Sequence, residues 1–375
     1  KRQAYNSSPI PAQIEHKNYA YGVREGIYFR KRTENRWNIK DFVNWITSDD
    51  PNTQETRGEG EYKQTFYYYP TNKIRIPVNK ENVLKSGIVK PEDADKIVDY
   101  IDITLPGAID KARIVMLDIL ANNDWKRPIY FTGGSMDAAE YLWMKDYLQL
   151  DGLVYKLVPI KTPIDKNNPY DMGRIDSELM YNIVKQWTWG NMGKEGIYLD
   201  PETRKNSIIF RGNLARLTEQ LIAEGKTAKA SEIIDIAMKN MPIDAYGYYF
   251  TLDPFIQGSY KVGKKEQARA IALQVIKKYQ EELNYYTHLP AGELNSNAKR
   301  IQYCIDRYGE VVMLSETLDK EFYAAQWAIF KDKAGLFMGE KELEEYFKGA
   351  ASQAALDSLR NTLIDTTATS DSTEE

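Results

Sequence analysis

The sequence predicts an N-terminal α/β or α+β domain at residues 1–165 and an all-α domain of tetratricopeptide-like helical repeats at residues 166–365. In the first part, short segments rich in β-branched and aromatic residues alternate with helical patterns, which is typical of mixed folds. From about residue 172 onward, apolar residues recur at the spacing of amphipathic helices. Residues 366–375 contain mainly Ser, Thr, Asp and Glu, so we expect a disordered tail.

Before residue 100, β-branched and aromatic segments mark strands and a three-to-four periodicity marks helices. The predicted elements are strands at 26–29, 64–69 and 73–78, helices at 39–46 and from Pro91, and a polar loop at 48–60. Pro77 cannot donate a hydrogen bond to a neighbouring strand, which places the strand 73–78 at a sheet edge.

The clearest alternation lies between residues 109 and 160. Apolar residues of the first helix form one stripe: Ala112, Val115, Met116, Ile119 and Leu120. The predicted elements are a helix at 109–121 that ends at Asn122-Asn123-Asp124, a buried strand at 128–132, a turn at Gly133-Gly134, a helix at 137–148 and a strand at 152–160. This order indicates an α/β layer.

The helices after residue 172 contain an internal repeat. They are predicted at 176–187, 206–223, 228–240, from Gly263 to Leu283, 298–316, 320–337 and 340–363. With Pro242 as the terminal proline of a tetratricopeptide unit, the diagnostic small and apolar positions fall on Leu214, Leu217, Leu221, Ala230, Ile234 and Ala237. A second unit aligns Gly263 with Gly225 and Ala268 with Ala230, about 38 residues later, so the repeat is irregular.

Composition excludes several functional classes. Fifty Lys and Arg against 54 Asp and Glu give a net charge of -4, so no basic field attracts nucleic acid. The single cysteine, Cys304, excludes an intrachain disulfide and a cysteine-based zinc site, and His16 and His288 lack metal spacing. We therefore expect no cofactor and no metal. No apolar run is long enough to span a membrane, and the sequence starts as if cut from a longer protein.

Two features are candidates for ligand binding. The segment Gly133-Gly134-Ser135 before a helix offers free amides to an anion, although a tight turn with Ser135 as helix cap is the favoured interpretation. Trp187 and Trp189 are suited to stacking on a sugar or peptide, although a packing role between domains is favoured.

No catalytic residue is predicted in this chain. The acidic pairs Asp49-Asp50 and Glu59/Glu61 lie in a polar loop, where carboxylates are usually solvated. Cys304 falls on the apolar face of its helix and is expected in the core. No G-x-S-x-G motif is present.

Several rare strings resemble one bacterial family in their identity and order. They are Trp125 to Phe131, Tyr147 to Pro159, Trp189-Gly190-Asn191, Tyr198-Leu199-Asp200, Asn213 to Leu217 and Leu283 to Tyr286. Over residues 1 to about 290, the chain resembles the multi-spanning membrane proteins of Bacteroidetes that are related to protein O-mannosyltransferases.

The resemblance implies a GT-C glycosyltransferase-like parent protein, whose membrane helices take a sugar from a lipid-phosphate donor. This chain would be its soluble C-terminal region on the periplasmic side of the inner membrane, joined to the membrane through a missing N-terminal part. None of its residues matches the catalytic acids of that class, so no catalytic residue carries over.

Three hypotheses about function follow. The first is a non-catalytic module that binds a protein or peptide acceptor, possibly a glycan, or partner subunits, in a groove of the helical repeats. The second is a carbohydrate-binding or independently catalytic α/β domain, and the third is a scaffold for the membrane part. The candidate ligand-binding residues are Gly133, Gly134, Ser135, Trp187, Trp189, Arg216 and Tyr248.

Overall fold

The computed structural model describes residues 26–48, 50–105, 107–132, 142–162 and 172–349. The chain divides into two compact units. The N-terminal unit comprises Lys1–Leu150, Val154–Ile164 and Met172–Arg174, and the helical unit comprises Asp151–Leu153, Asp165–Asp171 and Ile175–Glu375. A mixed α/β region followed by an all-helical region confirms the predicted fold class.

Three small sheets organise the described part of the N-terminal unit. Their strands are β1 (Gly26–Phe29), β2 (Trp37–Asn38), β3 (Gln54–Arg57), β4 (Gln64–Tyr69), β5 (Lys73–Pro77), β6 (Tyr100–Thr104), β7 (Ala108–Asp110), β8 (Tyr130–Thr132), β9 (Leu148–Asp151) and β10 (Val154–Leu157). The sheet orders are β3-β4-β1-β7, β2-β5-β6 and β8-β10-β9. Both β1–β4 and β2–β5 are parallel pairs, whereas β3–β4 and β5–β6 are antiparallel.

Three α-helices accompany these sheets in the described residues: α1 (Ile39–Thr47), α2 (Lys80–Lys85) and α3 (Lys111–Asn123). Short 3-10 helices lie at Pro51–Thr53, Gly60–Tyr62, Pro91–Lys96 and Leu142–Tyr147. The side chain of Asn38 caps α1 by accepting from Lys40 N at 2.9 Å. The ring of Phe42 on α1 meets Tyr69 on β4 edge-to-face at 5.5 Å, and both side chains are fully buried.

The edge position predicted for the strand at Pro77 is wrong, because β5 is the central strand of its sheet. Strand β2 pairs with β5 only at Ile74 and Arg75, so Pro77 lies beyond the end of β2. The proline therefore interrupts no hydrogen bond on that side. Its carbonyl instead accepts from Trp125 Nε1 at 2.7 Å.

The predicted loop 48–60 contains strand β3, which the polar sequence Gln-Glu-Thr-Arg did not indicate. This strand pairs antiparallel with β4, with Gln54 opposite Tyr67 and Arg57 opposite Gln64. Backbone pairing with a neighbour rather than burial of an apolar face therefore holds β3 in the sheet.

Helix α3 buries a different face from the predicted one. Ile114, Leu117, Leu120 and Ala121 are buried, whereas Val115, Met116 and Ile119 are half-buried. The buried face also carries Asp118, which is fully buried and accepts from Asn122 Nδ2 at 2.8 Å. Apolar residues nearly encircle this helix, so periodicity alone did not select its buried face.

The strand predicted at 152–160 is the shorter β10, and the strand β9 that was not predicted precedes it across Gly152, which has φ +73°. The positive φ allows the tight reversal between them. The strand predicted at 128–132 is β8, but Tyr130 is half exposed, so the expected burial is wrong. Strand β8 pairs antiparallel with the central β10 at the edge of its sheet.

Helices make up the described part of the second unit. They are α4 (Ser177–Lys185), α5 (Pro201–Ala223), α6 (Thr227–Asn240), α7 (Ile243–Tyr246), α8 (Asp253–Lys261), α9 (Lys265–Tyr286), α10 (Ala291–Ser296), α11 (Ala298–Met313), α12 (Lys320–Ala334) and α13 (Glu340–Gly349). Helix α5 starts before the predicted residue 206, because Asp200 caps it and Pro201 occupies its first turn.

The pairs α5–α6 and α8–α9 share one connecting geometry. Gly225 and Gly263 have φ of +74° and +81°, and in each turn the following lysine amide donates to a carbonyl of the preceding helix at 2.8 Å. The predicted repeat positions Leu214, Leu217, Leu221, Ala230, Ile234, Ala237 and Ala268 are all fully buried. A Cβ on Gly258 of α8 would lie 3.2 Å from Thr218 and 3.3 Å from Ile234, so α8 contacts both α5 and α6.

Candidate functional site

One open cleft of about 460 Å³ lies on α1 in the N-terminal unit. Helix α1 buries Ile39, Phe42, Val43 and Ile46 on one face. Its opposite face and flanking residues line the cleft with Trp37, Asp41, Asn44, Trp45, Ser48 and Asp50. We call this feature the tryptophan cleft. The i, i+3, i+4, i+7 spacing that fills the core is repeated by residues 41, 44, 45 and 48 on the cleft side.

The two tryptophans form the apolar wall of the tryptophan cleft. Their ring centroids are 5.3 Å apart at an interplanar angle of 67°, an edge-to-face pair in which both side chains are half-buried. Trp45 Nε1 donates to the carbonyl of Tyr68 at 2.8 Å, and the Trp45 and Tyr68 rings lie 5.9 Å apart. This hydrogen bond anchors the Trp45 ring to strand β4.

Local hydrogen bonds hold the polar rim. Asp50 accepts from Asn52 N at 2.8 Å and so caps the 3-10 helix Pro51–Thr53. The hydroxyl of Thr53 donates to Asp50 O at 2.8 Å, and Tyr68 Oη donates to Asn52 O at 2.8 Å. Because Tyr68 also holds Trp45, the rim and the aromatic wall share one support.

The charge of the tryptophan cleft is acidic. Asp41 and Asp50 are both exposed and line it, and no lysine or arginine is among the described residues of its lining. Aromatic rings beside carboxylate groups can hold a ligand that has an apolar face and hydrogen-bond donors. Among the described lining residues, a phosphate or sulfate group would meet two carboxylates and no cation.

The predicted residues Trp187 and Trp189 lie in the helical unit, in a cluster with Phe210. The three ring centroids are 5.4 to 5.8 Å apart, and all three side chains are half-buried. A Cβ on Gly152 would lie 3.1 Å from Trp187 Cζ2, so the backbone of Gly152 packs directly on this indole. These contacts account for Trp187 as a packing residue, and ligand binding there stays a prediction.

Tyr248 has a left-handed backbone (φ +48°) and contacts Phe250 edge-to-face, with ring centroids 6.4 Å apart. The neighbouring turn is held by Arg211, a fully buried arginine that sequence analysis missed. It donates to Met241 O at 2.8 Å and to Gly247 O at 2.6 Å, and burial lowers the pKa of its guanidinium to about 10.

The other predicted residues have separate locations. Arg216 is half-buried on α5, and its role in binding stays a prediction. Gly133, Gly134 and Ser135 lie outside the described residues, as do His16 and Asp49. Glu59 and Glu61 are exposed in agreement with a solvated loop, and so is His288.

Cys304 is fully buried, which confirms the predicted core position, and burial raises the pKa of its thiol. Within the ranges that the structure describes, no group of three or more His, Cys, Asp and Glu side chains could hold a metal ion.

A smaller groove of about 160 Å³ lies between α5 and α8 of the helical unit. Ile222, Ala223 and Pro254 form its apolar surface, and Glu219 and Lys261 add one charge of each sign.

Sequence comparison matches a family model to the part of the chain that contains the tryptophan cleft. Residues 1–179 match the family model described as TMEM260-associated domain 2. TMEM260 is a membrane protein family related to O-mannosyltransferases, which agrees with the resemblance that the rare strings indicated. No curated protein and no solved structure matches this chain. Over the described ranges, none of the helices has the length and apolar character needed to cross a membrane.

Sequence analysis did not select Trp37 and Trp45 as site residues. The available signal was Trp45, four residues after Asp41 on the polar side of the helical segment, with Trp37 two residues before the predicted start of that helix. Exposure of a large apolar tryptophan side chain to water is unfavourable in free energy. A tryptophan on the polar side of an amphipathic helix therefore indicates a binding surface.

Proposed function

We propose that this chain is a non-catalytic, acceptor-binding module on the periplasmic side of a membrane glycosyltransferase related to O-mannosyltransferases. In this function, the chain holds a glycoprotein acceptor while the membrane part transfers the sugar. The observation that carries the proposal is the tryptophan cleft, which lies in the unit that matches TMEM260-associated domain 2.

The chemistry of the tryptophan cleft favours binding over catalysis. Carboxyl groups that act as general acids usually have a pKa raised by burial in an apolar site. Asp41 and Asp50 are exposed, and Asp50 is occupied in capping a 3-10 helix. The cleft is therefore suited to recognition of an acceptor rather than to cleavage or transfer of a glycosyl bond.

Site-specific cross-linking in cells that make the full membrane protein tests this function. A photo-reactive residue replaces Asn44 in the tryptophan cleft, and a control variant carries it at Tyr62, which is 86% exposed and does not line the cleft. We expect adducts from position 44, and not from position 62, with glycoproteins whose glycans disappear when the parent gene is deleted.

Two outcomes would overturn the proposal. Adducts at position 44 with proteins whose glycosylation does not depend on the parent gene would exclude an acceptor role. Adducts only with the membrane part of the same protein would instead support a structural scaffold.

A second candidate function is docking of a polypeptide partner on the helical unit. The observation that favours it is the groove between α5 and α8, where an apolar floor lies beside Glu219 and Lys261. An apolar side chain flanked by both charges would fit this surface. Substitution Ala223→Arg should block cross-linking from Gln257 in the groove, whereas the control Leu273→Arg on α9 should leave it unchanged. Equal cross-linking from both variants would contradict the assignment.

A further inference from the structure

We infer that the tryptophan cleft binds an arginine side chain of a polypeptide, whose guanidinium stacks on the tryptophan rings and donates hydrogen bonds to Asp41. This inference rests on the proposed acceptor function, because it identifies the side chain that an acceptor polypeptide presents to the cleft. It makes a separate claim, however, since a short arginine peptide without any glycan should bind.

The unused hydrogen-bonding capacity of the tryptophan cleft belongs to its carboxylates. Asp41 is exposed, and its side chain makes no hydrogen bond or ion pair within the part of the chain that the structure describes. One oxygen of Asp50 accepts from the backbone and side-chain nitrogens of Asn52 at 2.8 and 2.9 Å, which leaves the second oxygen as an acceptor. Asn44 and Ser48 already have partners. A ligand that brings donors and no acceptors therefore matches this lining, and a guanidinium is such a group.

The charge of the tryptophan cleft favours a cation. Two carboxylates line it, and its described lining has no lysine or arginine to neutralise them. A positively charged group is attracted to this surface, whereas the phosphates of a nucleotide are repelled. The volume of about 460 Å³ lies in the range of small-molecule sites, roughly 300 to 1,000 Å³, so it admits a long side chain.

The aromatic wall favours arginine over the other organic cations. Trp37 and Trp45 are both half-buried, so part of each indole is open to a ligand. A planar guanidinium stacks on an indole face, whereas the ammonium of lysine is compact and strongly hydrated. Side chains four residues apart, as Asp41 and Trp45 are, lie side by side on a helix. One guanidinium can therefore reach a ring and the carboxylate together, whereas a quaternary ammonium has no N–H group to donate.

The N-terminal unit contains the same combination within its own chain. The guanidinium carbon of Arg75 lies 3.5 Å from the centroid of the Tyr100 ring, and its Nε and Nη2 each donate to Asp102 at 2.8 Å. Stacking on a ring and a bidentate ion pair thus occur on one arginine. The tryptophan cleft supplies rings and a carboxylate, and no arginine is among its described lining residues.

Titration of the 375-residue chain with the peptide acetyl-Gly-Ser-Arg-Ser-Gly-amide tests the inference. In the matched control peptide, citrulline replaces arginine and keeps the planar shape without the charge. We expect a dissociation constant on the order of 1 mM for the arginine peptide. Binding should be about threefold weaker with lysine and about tenfold weaker with citrulline. In nitrogen-15 spectra, the indole N–H signals of Trp37 and Trp45 should shift, whereas those of Trp187 and Trp189 should not.

Variants of the chain locate the binding of the arginine peptide. Asp41→Asn should weaken it about fivefold, Trp37→Ala about tenfold, and Trp37→Phe by a smaller factor because a ring remains. Two matched controls outside the cleft, Tyr62→Ala and Asp95→Asn, should bind as the wild type does. Circular dichroism would verify folding, and exposed Asp41 keeps the test valid even if a change at Trp37 disturbs the unit.

Several outcomes would overturn the inference. These are absence of binding by the arginine peptide, equal affinity for the arginine and citrulline peptides, unchanged binding by all three cleft variants, or tighter binding of tetramethylammonium than of the arginine peptide. Acceptor cross-linking at position 44 without arginine-peptide binding would refute only the arginine assignment and leave the proposed function standing. Arginine-peptide binding without glycosylation-dependent adducts would refute the acceptor function and support the arginine specificity of the cleft.

Discussion

Replacement of Gly309 by alanine should destabilise the helical unit, although alanine is the better helix former. Gly309 lies inside α11, where Ala is favoured over Gly by about 1 kcal/mol. A Cβ at this position, however, would lie 2.2 Å from Phe347 Cζ and 2.4 Å from Phe347 Cε1. Carbon atoms in contact are normally about 3.5 to 4.0 Å apart, so the phenyl ring must move by more than about 1 Å.

Phe347 has little room to move. Its side chain is 6% exposed, and its ring centroid lies 5.3 Å from that of Phe330 and 5.8 Å from that of Trp327. Overpacking of such a site costs about 1 to 3 kcal/mol, and complete expulsion of a phenyl ring about 3 to 5 kcal/mol. After the gain in helix propensity, we expect Gly309→Ala to lower the free energy of unfolding by about 2 kcal/mol.

Urea denaturation of the matched variant Gly212→Ala provides the control. Gly212 lies in α5 of the same unit, and a Cβ there would have nothing within 4 Å. This variant should therefore be more stable than the wild type by about 0.5 to 1 kcal/mol. On a Phe347→Ala background, Gly309→Ala should also become stabilising, because the clashing ring is gone.

Two results would refute the reasoning. One is a Gly309→Ala variant at least as stable as the wild type, which would show that Phe347 and α13 shift without a loss of stability. Alternatively, its penalty would persist on the Phe347→Ala background, which would locate the clash elsewhere.

Three further predictions concern buried polar and thiol groups. Arg211→Met should lower the free energy of unfolding in urea by about 3 kcal/mol, because it removes the donor to Gly247 O and Met241 O. An unchanged free energy of unfolding would contradict this prediction. The hydrogen bond from Arg269 lowers the pKa of Asp319 below its value in the unfolded chain. The ionised Asp319 therefore stabilises the folded state above about pH 4, and this stabilisation is lost on acidification. The Tm gap between wild type and Asp319→Asn should thus narrow below pH 4, and a constant gap would exclude this linkage. Cys304 should react with a thiol reagent only after denaturation, and rapid labelling of the folded chain would disprove its burial.

The helical unit was predictable because its determinants are local in sequence. Leu214, Ile234 and Ala237 follow helical periodicity, and each is fully buried. Gly225 and Gly263 mark turns that require positive φ, and both have it. Adjacent antiparallel helices bury the residues that periodicity selects, so little long-range information was needed.

The N-terminal unit was less predictable because strand pairing depends on distant residues. The segment Gln54–Arg57 becomes a strand through its pairing with β4, although it lacks an apolar alternation. Pro77 is tolerated in a central strand only because β2 ends before it, which no local pattern reveals. The reversal after α3 likewise depends on Asn82, whose side chain donates to Asp124 O at 2.9 Å and holds a residue at φ +46°.

The tryptophan cleft lies on the side of α1 that faces away from the core, and hydrophobic periodicity does not predict a function for that side. A hydrophobic pattern identifies the residues that face the core, and the remaining positions are usually solvated. Functional positions on that second face become visible only when their residue types are costly to expose, as with Trp45. Trp37 precedes the helix on strand β2. The same helix therefore carries both roles. Phe42 and its neighbours fix α1 against the core, and this rigid support holds Asp41 and Trp45, whereas Trp37 lies on strand β2 and contacts the Trp45 ring. Binding at the tryptophan cleft should consequently require little rearrangement of the backbone.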